Sequence, residues 1–397
     1  MKSKLLYIAY YWEDEFSPLG IQSKRYVEGL CKFYNITVVY RTKEPTRSNV
    51  LISESNIKLL PFYTKDYSIW DRRIKKYLIA LNDFFSIDDY IWSRKVQRVI
   101  NFNEYRYLII ASNPFTIQTI GIANNKYIKY IPHLYDPLVD NTFAHLSRFG
   151  NFLRKKYEKK IITRANLIFV SNELHKSVLI KRYQLLNDSR IYIVPFCTDL
   201  KILDVKKVSQ TYKQPLILIH TGNIYGDRKL DLLINTLIYL KDRDADIANR
   251  IQLHFYGNIS YEEKVRVLNN ELNDIVHFFP FIHQINLYRK IASVDGLLLI
   301  NPGIEIDVFY PSKLCEYLTF EKIIVSISTP VSASNSDILE SGNLLFYNDQ
   351  IKNFADALMN LLNDKNYYAN EIRSNFWVKF TPENTATLIS NHLEKLK

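Results

Sequence analysis

Residues 216–237 read LILIHTGNIYGDRKLDLLINTL. An apolar run ends at Thr221-Gly222 and gives way to an amphipathic segment near 228–240 whose first turn holds Arg228 and Lys229. A short apolar run, a glycine loop and a helical repeat in that order form the unit of a parallel sheet wrapped by helices. Backbone N–H groups and the positive end of a helix dipole favour an anion at such a junction. Arginine adds a planar fork that suits phosphate. The plain alternative is a basic helix start with solvated charges. Basic residues there oppose the dipole, which favours an anion between them.

The same alternation extends outward in both directions. Candidate strands fall at 5–10, 36–40, 57–60, 107–111, 128–132, 167–170 and 191–194, with helices near 21–33, 71–82, 91–100, 148–164 and 173–182. Residues 197–214 lack clear periodicity and read as a linker, after which the pattern restarts. Strands at 216–221, 251–256, 276–279, 296–300 and 323–326 alternate with helices near 228–240, 261–272, 284–292, 312–319 and 351–363, and tail helices follow near 367–378 and 383–396. The expected fold is α/β, with two doubly wound Rossmann-like domains facing a central cleft. In such sheets ligands bind beyond the carboxyl ends of the strands.

Composition narrows the function. The chain has 397 residues and only 10 Gly, where about 28 would be average. None forms a G-x-G-x-x-G or a phosphate-binding G-x-x-x-x-G-K-[ST] loop. The three Cys (31, 197, 315) are far apart, which argues against a disulfide framework and for a reducing compartment. The first residues carry no secretory signal pattern, and no apolar run approaches membrane-spanning length, so a cytoplasmic protein is expected. Residues 1–200 carry 31 Lys+Arg against 18 Asp+Glu, a net of +13, and residues 201–397 carry 21 against 23, a net of −2. A basic first half beside a near-neutral second half implies two surfaces with different partners.

Three further segments carry polar chemistry. In NPGIEIDVFYPSKLCEYLTF (301–320), Pro311 suits the first turn of a helix, and Ser312 and Lys313 bring donors to its start. Glu316 lies one turn on, on the same face, and a carboxylate accepts both hydroxyls of a ribose. An intrahelical Lys–Glu pair on a surface helix is the alternative. In IPHLYDPLVDN (131–141), His133 and Asp136 are expected to face the cleft as positioning or proton-transfer groups, against the alternative of a merely hydrogen-bonded histidine. Residues 148–164 (RFGNFLRKKYEKKIITR) carry seven Lys/Arg and one Glu, with Phe149, Phe152, Leu153, Tyr157 and Ile161 at helical spacing. Segment 70–82 is similar. Basic amphipathic helices with aromatic residues lie on anionic bilayers, and a solvated helix face is the competing reading. Metal chemistry is not expected: there is no H-E-x-x-H and no Cys pair, and Asp242, Asp244 and Asp246 read as a solvated loop.

These residues, in this order, resemble the family 4 glycosyltransferases, retaining enzymes of the GT-B fold, of the type that builds bacterial surface polysaccharide. The likeness includes TRANLIFVSNELHKSVL, RIYIVPFCTDL, TGNIYGDRKLDLLI and YPSKLCEYLTFEKIIVSIS. It implies an acceptor-binding domain over 1–200, joined by the helices of 367–397, and a nucleotide-sugar donor domain over 201–366. It implies that Arg228, Lys313 and Ser312 hold the diphosphate and that Glu316 binds the nucleotide ribose. Gly20, Gly222 and Gly257 would give close backbone approach, and the loop 280–284, with Phe281, would flank the base. The family often carries a Glu eight positions before the ribose-binding one; here Val308 stands there, with Glu305 and Asp307 as the nearest carboxylates, and Lys229 replaces a frequent Gly.

The resemblance further implies a nucleotide-diphosphate sugar as donor, no obligatory cofactor or metal, and a polyprenyl-diphosphate-linked or glycan acceptor for capsule, O-antigen or exopolysaccharide. With the basic first half, it implies peripheral contact at the inner face of the cytoplasmic membrane. A GT-B nucleotide-sugar epimerase or hydrolase is the second reading. A basic nucleic-acid-binding protein is the third, though no zinc spacing, RNP-type motif or basic heptad region supports it.

Overall fold

The computed structural model describes residues 2–14, 17–48, 52–54, 56–65, 86–139, 148–184, 188–206, 215–368 and 371–396. The helix expected near 71–82 and residues 207–214 of the expected linker lie outside them. The chain divides into two compact units, residues 1–197 with 382–397, and residues 198–381.

In the first unit the strands are β1 (Lys4–Ile8), β2 (Asn35–Thr42), β3 (Ile52–Glu54), β4 (Ile57–Tyr63), β5 (Tyr107–Ala111), β6 (Lys129–Leu134), β7 (Ile168–Val170) and β8 (Ile191–Ile193). They form one sheet in the order β3-β4-β2-β1-β5-β6-β7-β8. Every neighbouring pair is parallel except β3 with β4. The short β3 has no counterpart in the sequence reading, since three residues are too few to show a period. Strand β5 (YLIIA) is buried along its whole length, as expected where helices cover both faces of a parallel sheet. The chain winds from β1 to β2 and β4, then returns to β5 on the other side of β1. The order therefore reverses between β1 and β5.

The C-terminal helix Pro382–Glu394 packs on the helix Pro18–Leu30. A Cβ on Gly29 would lie 2.1 Å from the carbonyl oxygen of Pro382. Tyr34 Oη lies 3.0 Å from Ser390 Oγ, and Tyr107 Oη donates to the Leu393 carbonyl at 3.0 Å. Only residues from Pro382 onward join this unit, where the sequence joined 367–397 to it. Residues 371–381 are held by the second unit instead. Arg373 donates to the Gly342 and Tyr368 carbonyls (2.7 and 2.9 Å), and Trp377 Nε1 to Glu321 Oε1 (2.9 Å).

The second unit has β9 (Leu216–Thr221), β10 (Ile251–Tyr256), β11 (Val276–Phe279), β12 (Gly296–Ile300), β13 (Ile323–Ser328) and β14 (Leu344–Tyr347), all parallel, in the order β11-β10-β9-β12-β13-β14. Strand β14 was not foreseen. Its sequence, LLFY, is short and only half-buried. The helices Asp231–Arg243 and Ile351–Asn363 pack together over one face of the sheet, with Leu233, Leu237, Leu358 and Leu361 in a common core. Here the order reverses between β9 and β12.

Candidate functional site

In a doubly wound sheet the reversal of strand order leaves a crevice at the carboxyl ends of the two strands where it occurs. In the second unit those ends lead into residues 222–230 and 301–312, the two segments singled out by sequence. They are tied together, since Gly303 N–H donates to the Asp227 carbonyl at 2.8 Å. The loop after β10 lies alongside: Gly222 N–H donates to the Tyr256 carbonyl (2.8 Å) and Ile224 N–H to the Asn258 carbonyl (3.0 Å). Gly222 has φ +104° and Gly257 φ +140°, and a Cβ on Gly257 would lie 2.5 Å from the Gly222 oxygen. Both positions therefore require glycine.

Lys313, the first residue of the helix Lys313–Thr319, reaches back over this loop. Its Nζ donates to the Thr221 carbonyl at 2.7 Å and lies 3.2 Å from His220 Nε2. His220 is buried at the end of β9, and its Nδ1 lies 3.0 Å from the Leu298 carbonyl. A carbonyl only accepts, so Nδ1 carries the ring proton and Nε2 accepts from the ammonium. Burial, then the charges of Lys313 and Arg228, pushes the His220 pKa well below the ordinary imidazole value, and this keeps the ring neutral. Burial and the Arg228 charge likewise push the Lys313 amine well below the ordinary lysine range. Two of the three ammonium hydrogens are thus directed, and the third has no protein acceptor among the described residues. Tyr317 completes the frame, its Oη accepting from Thr221 N at 2.8 Å. Lys313, held in a partly dry place on a carbonyl and a neutral ring, with the Arg228 charge acting on it, gives this strand end a positive potential that suits an anion.

His220 was missed by the sequence reading. The available signal was a single imidazole inside an otherwise apolar strand.

Arg228 stands over the Tyr225 ring, 5.8 Å from its centroid. It is not in a helix's first turn as expected. Arg228 N–H closes a turn onto the Tyr225 carbonyl, Leu230 N–H donates to the buried Glu263 (3.2 Å), and the helix starts at Asp231. Lys229 points elsewhere, to Glu262 at 3.0 Å and Glu263 at 3.5 Å. Ser312 is the half-buried N-cap of the Lys313 helix with no side-chain capping bond, and Glu316 is half-buried one turn on.

Asp307, one of the carboxylates nearest Val308, is occupied. It is fully buried and accepts from Ser332 Oγ at 2.9 Å and Phe309 N at 3.2 Å, which pins its loop to residues 331–333. Burial raises its pKa to about 6, opposed by those bonds and by Arg228. Glu305 is exposed and Val308 buried. Phe281 is 56% exposed just beyond β11. Among the described residues no group of three or more His, Cys, Asp or Glu could hold a metal ion, and Asp244 accepts from Ile247 N as a helix cap.

In the first unit the reversal point lies beyond β1 and β5. Gly20 sits in the first turn of Pro18–Leu30, and its Cβ would lie 2.2 Å from the Tyr11 oxygen, so it lets residues 11–14 fold against the helix start. Asp136, half-buried after β6, accepts from Asn113 Nδ2 at 3.4 Å, at the end of β5. His133 departs from expectation. It does not face an open cleft but lies in the core at 1% exposure, ringed by Tyr26 (4.8 Å), Tyr135 (4.6 Å) and Phe169 (5.8 Å). Residue 133 belongs to a central strand covered on both faces. Burial lowers its pKa to about 3 and so keeps the ring neutral.

No family model and no curated protein sequence matches the chain. Solved structures do match over nearly its whole length. Sucrose-phosphate synthase from Thermosynechococcus elongatus superposes with TM-score 0.69 at 12% identity, covering 100% of this chain and 99% of that one. The E. coli trehalose-6-phosphate protein with UDP-2-fluoro glucose bound gives 0.70 at 9%, covering 99% of each. The lipopolysaccharide outer core galactosyltransferase WaaB gives 0.64 at 13%, covering 99% and 100%. The chain has the fold of these GT-B glycosyltransferases, two Rossmann-like units with parallel sheets.

Proposed function

We propose that the protein is a retaining glycosyltransferase of the hexosyltransferase class, moving a sugar from a nucleotide-diphosphate sugar to a lipid-linked or glycan acceptor in cell-surface polysaccharide synthesis. One observation carries the reading: the Lys313 ammonium, aimed by the Thr221 carbonyl and neutral His220, beside Arg228 at the reversal point of the second sheet. A diphosphate is the anion that suits this basic strand end. Gly222 and Gly257 allow its backbone approach, and Glu316 accepts from the ribose. Charge grows on the leaving diphosphate as the sugar departs, so Arg228 and Lys313 stabilise the transition state by preformed electrostatics. The leaving phosphate oxygen takes the acceptor proton on the same face, and the protein's contribution is positioning and neutralisation. Asp136 is assigned to acceptor positioning, and the basic first unit to peripheral contact with an anionic membrane carrying a polyprenyl-diphosphate acceptor.

Thermal stabilisation by a panel of nucleotide sugars tests the reading, since a ligand that binds only the folded state raises its stability by mass action. At least one nucleotide-diphosphate sugar should raise the Tm of the wild type and not of Lys313→Ala. No shift with any donor contradicts the proposal. Rapid conversion of a donor sugar without acceptor would favour an epimerase or hydrolase instead.

A further inference from the structure

On the helix layer of the first unit lies a groove of about 460 Å³. The helix Gln118–Asn124 forms its floor and touches both flanking helices, Ile87–Val99 and Arg148–Arg164. Arg94, Lys126, Lys160 and Arg164 line it, and among the described residues no Asp or Glu does. None of the four is in an ion pair among the described residues. Arg94 meets the neutral Gln97 amide at 3.5 Å, and Lys126 stands over the Tyr127 ring at 5.0 Å. Four uncompensated cations around one concavity oppose each other until an anion enters.

The surroundings choose the kind of anion. Phe149, Phe152, Lys156, Lys160 and Arg164 recur at spacings of three and four on one helix, and so share a stripe that runs into the groove. Phe149 is 60% exposed, Phe152 56% and Tyr127 54%. A soluble phosphate would need the cations alone. Exposed aromatic rings beside cations suit the boundary between headgroups and acyl chains.

We propose that this groove is a docking site for the phosphate headgroups of an anionic bilayer, with Phe149 and Phe152 inserting beside them. It rests on the membrane part of the proposed function and turns a diffuse basic surface into a discrete site. Its residues lie on the helices, leading into the amino ends of β5, β6 and β7, and are distinct from those that hold the nucleotide.

Flotation of the full chain with vesicles of phosphatidylcholine, with and without phosphatidylglycerol, tests it. Lys160→Glu with Arg164→Glu is compared with Lys155→Glu with Lys159→Glu, which makes the same charge change on the same helix outside the groove. Wild type should float only with the anionic lipid. The groove pair should lose at least about thirtyfold in binding, from roughly fivefold per cation removed near an anionic surface with the added carboxylates increasing it, and the control pair less than about fivefold. Stabilisation by nucleotide sugar should be unchanged in both. Equal losses in the two pairs would overturn the groove while leaving the membrane reading intact, and failure of the wild type to float would overturn both. Binding of inorganic pyrophosphate to the groove without any vesicle binding would also overturn it, by assigning the cations to a soluble anion.

Discussion

Lys313 shows how one amine is set by its neighbours. The Thr221 carbonyl and His220 fix its direction, and Gly222 beside it takes the positive φ that the loop requires. A methyl at 222 would lie 3.4 Å from Nζ, and one at 257 would lie 2.5 Å from the Gly222 backbone. The two glycines therefore separate. Gly257→Ala should destabilise the fold by about 1–3 kcal/mol, through both strain and clash. Gly222→Ala should cost about 1 kcal/mol of stability through its φ but weaken nucleotide binding more, by shifting the strained loop on which the anion is proposed to lie. Denaturant unfolding and nucleotide titration of each variant check this, and equal effects on both properties would reduce the two to simple turns. Asp307 gives a pH signature. Its pKa rises from 3.8 to about 6 on folding, so its contribution is fully favourable below about pH 4 and is lost as pH rises through about 6. Asp307→Asn removes that titration. Relative to wild type, the variant should gain up to about 3 kcal/mol between about pH 4 and pH 7. Parallel stability curves would refute the assignment.

Strands and helices were mostly legible because their period was. The apolar runs of β1, β5, β9 and β12 are buried throughout apart from the first residue of β1 and the second of β9, and the sequence located all four. The elements it missed, β3 and β14, are too short or too little buried to show a period. The helix after β9 begins later than expected because a buried carboxylate from another helix, Glu263, takes the Leu230 N–H. Such long-range capping leaves no local mark. The same holds for the C-terminal helix, whose partner is more than 350 residues away. Gly29→Ala would place a methyl 2.1 Å from the Pro382 oxygen and force the helices Pro18–Leu30 and Pro382–Glu394 apart. A loss of about 1–3 kcal/mol is expected, read by denaturant unfolding, with no change in nucleotide affinity, since this packing lies in the first unit. An unchanged midpoint would show that the contact is dispensable.

For the molecule as a whole, the order of motifs pointed to two α/β units, and both are found. The shortage of glycine proved informative where strand ends meet, at Gly222 and Gly257, and was structural at Gly29. The role of His220 was not legible, because its importance comes from a lysine 93 residues away. His133 was misplaced because a residue near a strand end cannot be told from a core residue without knowing what covers the strand. The central claim is that Arg228 and Lys313 neutralise charge developing on a departing diphosphate. Turnover of Arg228→Ala and Lys313→Ala on the donor found by the stabilisation panel tests it most directly. The account predicts that each variant loses about 10²–10³ in kcat with the fold intact, and near-wild-type turnover by either would contradict it.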